Sequence, residues 1–226
     1  MAERRALIIG ASRGIGLGLA EELAARGWHV FASQRSASEG LAQAADDASI
    51  EVVTADVTDA ASIDMLARQI KPGSLDVVLV NAGIMGNENQ SIETASADDV
   101  AHIMMTNTVG PARTGKQLLP LLRDGGTLAF TTSRLGSIAE SFGGYDLYRM
   151  SKAGQNILAK GIFEQDAKPR GIAVLSLHPG WVKTDLGGAA APLTVAESVR
   201  GLADVLEAEQ TPGHRFVAYD GGAIPW

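Results

Sequence analysis

The chain has 226 residues, 46% of them hydrophobic and 20% charged, with 26 acidic residues against 19 basic ones and a formal net charge of −7. This length and composition fit one globular domain over residues 1–226, or at most a small pair, and exclude a disordered or fibrous chain. Without clustered Lys and Arg, neither nucleic acid nor an anionic membrane is an expected partner.

The chain has no cysteine, which excludes disulfides, thiolate nucleophiles and zinc–sulfur sites and agrees with a reducing cytoplasm. No apolar run approaches the ~18 residues of a membrane span. Met1-Ala2-Glu3-Arg4-Arg5 leads directly into a strand-like stretch and a glycine turn, unlike a signal peptide, so the expected location is cytoplasmic.

Residues 6–9 read as a strand ended by Gly10. Ile15, Leu19 and Leu23 follow at spacing four, one face of a helix that stops near Gly27. Residues 28–33 and 50–54 are the second and third strands. Asp59 is placed to cap a helix to Ile70, which Lys71-Pro72-Gly73 ends. Leu75–Val80 is a continuous apolar run, expected of a strand buried on both faces. A long helix is predicted over 97–122, bent at Gly110-Pro111, then a turn at Asp124-Gly125-Gly126 and a fifth strand over 127–132. A helix over 145–167, a sixth strand over 172–177, a helix from Thr194 to Glu209 and a last strand over 216–219 complete the chain, and the stretch 187–192 is the loosest. This alternation predicts an α/β fold with one parallel sheet and helices on both faces. Such sheets bind ligands beyond the carboxyl ends of their strands, where the strand order switches.

Gly10-Ala11-Ser12-Arg13-Gly14-Ile15-Gly16 lies between the first strand and the first helix. Glycines permit a tight turn and the close approach of a phosphate, and the helix end supplies free N–H donors. The spacing is G-x-x-x-G-x-G, without the G-K-[ST] ending of a nucleotide-triphosphate loop. A free ribose 2′-hydroxyl usually meets a carboxylate about 20 residues beyond the glycines, but Phe31-Ala32-Ser33-Gln34-Arg35-Ser36 has none. Arg35, with Arg13 and Ser12, can instead hold a 2′-phosphate, so NADP(H) is favoured over NAD(H); the other reading of Arg35 is a solvated side chain. Asp56 and Val57 follow the third strand, where a carboxylate and a backbone N–H can meet adenine, and Asp56 reads equally as a turn residue. Asn81-Ala82-Gly83 follow the fourth strand, where small residues let the backbone pass close to a flat ligand and Asn81 can tie strands together.

Tyr148 and Lys152 stand four apart, on one face of a helix. A phenol with its ordinary pKa of ~10 is a weak acid–base catalyst at neutral pH, and a nearby ammonium is expected to lower that value. Ser133 ends the fifth strand, where its hydroxyl can hold a carbonyl oxygen beside the tyrosine, with Ser137 as the rival position. Asn107 lies inside a predicted helix and reads either as support for a proton relay to Lys152 or as a local helix irregularity. His29, His102, His178 and His214 are scattered, and neither a metal motif nor a G-x-S-x-G elbow is present.

Together these motifs, with Pro179-Gly180 and Thr184, resemble the short-chain dehydrogenase/reductase family over almost the whole chain and in the family's order. The resemblance implies a single-domain Rossmann fold with seven strands in the order 3-2-1-4-5-6-7, and hydride transfer between a nicotinamide and a carbonyl or alcohol carbon. It implies Tyr148 as general acid–base, Lys152 tuning it and binding ribose, Ser133 orienting the carbonyl and Asn107 supporting the relay. The segment of Pro179, Gly180 and Val182 is implied to face the nicotinamide, with Thr184 touching its carboxamide or the pyrophosphate. The ending Asp220-Gly221-Gly222-Ala223-Ile224-Pro225-Trp226 looks most like the small carbonyl reductases related to C-factor and sniffer. Ser133 and Tyr148 stand two residues further apart than in many members, which places an insertion around 140–143.

The implied substrate is a small ketone or aldehyde, or the corresponding alcohol, against walls from Arg134, Leu135, Phe142, Tyr145 and Trp181, with Ile84, Met85 and Leu186 nearby. The alternative function is a cofactor-binding sensor or signalling protein with little turnover. The family also implies a homodimer or homotetramer paired through the long helices, with Gln117, Leu118, Leu121, Ile157 and Ile162 as candidate contacts.

Overall fold

Successive side chains of a strand point to opposite faces, so Ala6-Leu7-Ile8-Ile9 must fill two cores at once. In the computed structural model, which describes residues 3–87 and 90–226, Leu7 and Ile9 enter one core and Ala6 and Ile8 the other. The strands are β1 (Arg4–Ile9), β2 (Trp28–Gln34), β3 (Ile50–Thr54), β4 (Leu75–Val80), β5 (Leu122–Thr131), β6 (Ala173–His178) and β7 (His214–Ala218). They form one sheet in the order 3-2-1-4-5-6-7, with every neighbouring pair parallel. The expected Rossmann architecture is borne out.

The helices are α1 (Gly14–Ala25), α2 (Glu39–Ala44), α3 (Ala60–Ala67), α4 (Ala97–Met104), α5 (Gly110–Leu118), α6 (Asp146–Ile162) and α7 (Val195–Glu207). Leu19 and Leu23 of α1, Leu41 of α2 and Leu202 and Leu206 of α7 cover one face of the sheet. Ile63 and Leu66 of α3, Leu118 of α5 and Ala159 and Ile162 of α6 cover the other. The fit of α5 is close: a Cβ on Gly115 would stand 2.5 Å from Phe130 Cζ. Chain order switches between β1 and β4, and sheets of this kind bind ligands at the carboxyl ends of the strands flanking such a switch.

Several boundaries differ from expectation. Helix α2 carried too short an apolar pattern to be predicted. The Asp124-Gly125-Gly126 turn is part of β5, whose register against β4 jumps from Leu75↔Leu122 to Val77↔Thr127, so the glycines form a bulge within the strand. The helix predicted over 97–122 is α4, a π-helical turn (Met105–Val109) and α5. Its irregularity falls at Asn107, ahead of Gly110-Pro111. Leu118, Leu121 and Ile162 are buried, so they are core residues and cannot pair subunits. Met105, Val109, Met150, Ile157 and Leu158 are the exposed apolar side chains of these segments.

Two histidines on the last strands are pushed well below their ordinary value. Burial holds His178 at about 4, helped by the Arg134 charge and opposed by Asp220. Burial also brings His214 to about 4, with a smaller effect from Lys160. Both are neutral when folded at neutral pH, whereas the unfolded chain binds their protons below about 6.5. Their contribution to stability is therefore full above pH 6.5 and is lost as pH falls towards 4. The melting temperature should drop across that interval, and His214→Gln should flatten part of the slope in a thermal-melt series.

Among the described residues, no helix is long and apolar enough to cross a membrane, and no group of three His, Asp or Glu could hold a metal ion.

Candidate active site

The glycine turn joins β1 to α1 at the switch point. Gly10 has φ +89° and Gly14 φ +57°, conformations that glycine adopts without strain. A Cβ on Gly10 would stand 2.9 Å from the Ala82 backbone, and one on Gly16 would collide with the Gly10 carbonyl oxygen. Ser33, buried at the end of β2, fixes the turn from below: its Oγ accepts from Gly10 N at 2.9 Å and its carbonyl from Ala11 N at 2.7 Å. Ser38 Oγ donates to the Ser12 carbonyl at 2.6 Å. Neither serine was singled out from sequence, because their partners are distant backbone atoms.

Helix α1 begins after Arg13 with no side-chain cap and no acidic residue in its first turn. Helices α4 and α7 both begin with complete capping boxes. An uncapped, positive helix end beneath a turn with glycines at positions 10, 14 and 16 fits a phosphate group, and Ile15 is in its first turn. Thr184 closes this cradle from the loop after β6, its methyl 3.4 Å from where a Gly14 Cβ would sit. Pro179 is held by Ser198 Oγ, which donates to its carbonyl at 2.6 Å. Gly180 has φ +86°, and Val182 pairs with Leu193.

Arg35 is exposed beyond β2. Arg13 forms an exposed ion pair with Asp185 at 2.9 Å, a partner not expected from sequence. Burial pushes the Asp56 carboxyl up, but bonds from the Thr58 hydroxyl and N–H and the Arg35 charge bring it below its ordinary value. Asp56 therefore serves as a turn acceptor in the same corner as Arg35. The Val57 side chain is in the core, and its carbonyl accepts from Arg113 at 3.3 Å.

Asn81 ties three strands together: its Nδ2 donates to the Gly10 carbonyl at 2.8 Å and its Oδ1 accepts from Thr131 Oγ1 at 2.9 Å. Asn107 grips the neighbouring loop, with Oδ1 accepting from Ile84 N at 2.8 Å and Nδ2 donating to Ile84 O at 2.7 Å. The same Nδ2 reaches Ser151 Oγ at 3.1 Å, and Ser151 Oγ donates to the Tyr148 carbonyl at 2.8 Å. Asn107 thus links the Gly83 loop to α6 while lying in a helix irregularity, as one of its two readings held.

Tyr148, Ser133 and Lys152 come together at the carboxyl end of β5. The Ser133 side chain acts on the Tyr148 phenol, favouring its ionised form, and Ser133 Oγ accepts from Leu135 N at 3.1 Å. Lys152 Nζ is 5.8 Å from the Tyr148 ring centroid and donates to the Thr131 carbonyl at 3.0 Å. The expected lowering of the phenol is not what the structure shows. Burial pushes Tyr148 up to about 12, against the opposing Ser133 bond, and burial brings Lys152 down to about 8. Desolvation disfavours the charged form of each group and outweighs a cation at this distance. Tyr148 is therefore a protonated donor at neutral pH.

Gln90 supports the tyrosine in a way the sequence did not reveal. Its Oε1 accepts from Tyr148 N at 3.1 Å and its carbonyl from Leu147 N at 3.3 Å, capping α6 from another loop.

Around this centre, Leu135, Ile84 and Met85 pack with Tyr148. Arg134 is ion-paired with Glu140 at 3.5 Å. Phe142 is turned outward, 85% exposed, with the Arg149 guanidinium 4.4 Å from its ring centroid, so it is a rim residue and does not wall the centre. Tyr145 is also on the rim, 56% exposed, with φ 54°. Trp181 Nε1 donates to Gly187 O at 2.7 Å, and Trp181 and Leu186 are exposed.

The family model "short chain dehydrogenase" matches residues 4–192. The protein C-signal of Myxococcus xanthus is 38% identical over 169 residues, 71% of this chain and 98% of that one. A short-chain dehydrogenase/reductase from Burkholderia multivorans, solved with bound NADP, is 34% identical with a TM-score of 0.93, covering 99% of this chain and 100% of the other. The carbonyl reductase Sniffer of D. melanogaster is 31% identical with a TM-score of 0.90 over the same shares. The resemblance to the C-factor and sniffer group is borne out. With its strand order, glycine turn and matched sequence, this chain belongs to the short-chain dehydrogenase/reductase family of oxidoreductases.

Proposed function

We propose that this protein is an NADPH-dependent carbonyl reductase acting on small ketones or aldehydes with an apolar or aromatic substituent. The observation that carries the reading is the buried, protonated Tyr148 phenol with Ser133 and the Lys152 ammonium beside it, beyond an uncapped glycine cradle. The NADP-bound Burkholderia structure and the carbonyl reductase Sniffer support it by similarity.

Gly10, Ser12, Gly14, Ile15 and Gly16 would hold the pyrophosphate, with Thr184 above them. Arg35 and Arg13 would hold the 2′-phosphate, the latter by leaving Asp185. Asp56 and Val57 would flank adenine, and Asn81, Ala82, Gly83, Pro179, Gly180 and Val182 the remainder. The cofactor supplies the hydride. Ser133 and Tyr148 grip the substrate oxygen, which excludes water from it, and Tyr148 Oη gives that oxygen a proton as negative charge develops. Lys152 holds positive charge behind the phenol and a ribose hydroxyl in place, and Asn107 keeps the Gly83 loop in register with α6. Leu135, Ile84 and Met85 face the substrate's apolar part, with Tyr145 and Trp181 at the rim. The same residues serve alcohol oxidation, with Tyr148 then taking the proton. Met105, Val109, Met150, Ile157 and Leu158 would form the contact of a homodimer or homotetramer.

Turnover of a carbonyl panel should have a clearly lower Michaelis constant for NADPH than for NADH; a preference for NADH would overturn the cofactor assignment. Similarity to C-signal favours a second reading, cofactor binding without significant turnover. Silence over the whole panel together with tight NADPH binding would establish that reading instead.

A further inference from the structure

Lys152 donates to a second acceptor, Oε1 of Gln155, at 3.3 Å. Gln155 is on the same face of α6 at spacing three and is 1% exposed. Its Nε2 is buried with no hydrogen-bond partner among the described residues. A buried amide satisfied on one side only is destabilising, and an aliphatic side chain of similar volume would avoid that cost. The bond this side chain does make is to the ammonium.

The surroundings of Lys152 make that bond important. From α6 it is faced by Tyr148, from β5 by the Thr131 carbonyl and from the loop after β4 by Gly83, which also borders Asn107 of the π-helical turn. A Cβ on Gly83 would stand 3.3 Å from both Lys152 Nζ and Asn107 Oδ1. Among the described residues of this shell only Tyr148 titrates, and it is neutral at neutral pH. Lys152 is lowered by burial, with no carboxylate among the described residues offsetting it. The ammonium is thus held by neutral oxygens.

We propose that Gln155 is a positioning residue for Lys152: its amide oxygen takes the place of a carboxylate, keeps the ammonium charged and anchors it between the Thr131 carbonyl and the Tyr148 ring. The inference rests on the proposed function for its catalytic consequence, since a neutral Lys152 would no longer support the Tyr148 phenol or donate fully to ribose. Its physical content concerns Lys152 alone.

The test is an NMR titration of the Lys152 Cε and Nζ resonances in labelled full-length protein, assigned by their loss in K152R. In Q155M, which keeps the volume and removes the acceptor, the midpoint should fall by about one pH unit; in Q155E it should rise by about the same amount or more. The alkaline limb of kcat/KM with NADPH should move in the same two directions. An unchanged midpoint in Q155M, or movement of both variants in one direction as repacking alone would give, overturns the proposal. If Q155E does not fold by thermal melt, Q155M against the native chain decides. If the native protein shows no carbonyl turnover, the titration still reads Lys152 directly, so failure of the functional reading and failure of this proposal remain distinct.

Discussion

Tyr148→Phe should lower carbonyl turnover by about 10²–10⁴-fold, the usual worth of a positioned acid–base group, while NADPH binding stays close to native. The substitution removes one oxygen. The ring keeps its packing against Ile103 and Leu147, and the backbone N–H keeps its bond to Gln90. Lys152 keeps its acceptors Thr131 O and Gln155 Oε1, so the ribose end of the site is undisturbed. What disappears is the phenol hydroxyl and its proton. Steady-state turnover and a fluorescence titration with NADPH separate the two effects. Turnover within tenfold of native would remove the phenol from the chemistry, whereas lost NADPH binding would mean that the variant had disturbed the site at large.

The second large effect is expected at Gly16. Gly16→Ala should destabilise the fold by about 1–3 kcal/mol, the range for forcing atoms into a packed interior. It should also weaken NADPH binding by about tenfold or more, which corresponds to ~1.4 kcal/mol. The added methyl would meet the Gly10 carbonyl and stand 2.7 Å from Asn81 Nδ2. Both obstacles are fixed, because Gly10 N is bonded to Ser33 Oγ and the amide of Asn81 spans to Gly10 and Thr131. Relief therefore requires moving the turn that forms the phosphate cradle. Thermal melting and NADPH affinity should fall together. Native affinity in a destabilised variant would show that the cradle binds no phosphate.

Both effects come from positions legible in the amino-acid order. The glycines follow an apolar run and precede a helical pattern, and Tyr148 and Lys152 share a helix face by spacing. Local rules suffice for such features. The apolar runs of β3 and β4 were equally readable, down to their boundaries. Within the helix over 97–122 an irregularity at Asn107 was legible too, because asparagine is a poor interior helix former, but its bond to Ile84 across the fold was not.

What the chain determined by itself was its periodicity and punctuation: an alternating α/β fold, a glycine turn at the first strand end, and a serine, a tyrosine and a lysine at the rim. What only the tertiary structure decided was the environment of those groups. The Tyr148 phenol is raised because the surrounding packing removes water from it, and Arg13 faces Asp185 because the loop after β6 arches over the glycine turn. Ser33, Gln90 and Gln155 matter through partners from 3 to 58 residues away. Spacing places a side chain on a face, but desolvation and hydrogen bonding depend on every atom that folding brings to that face.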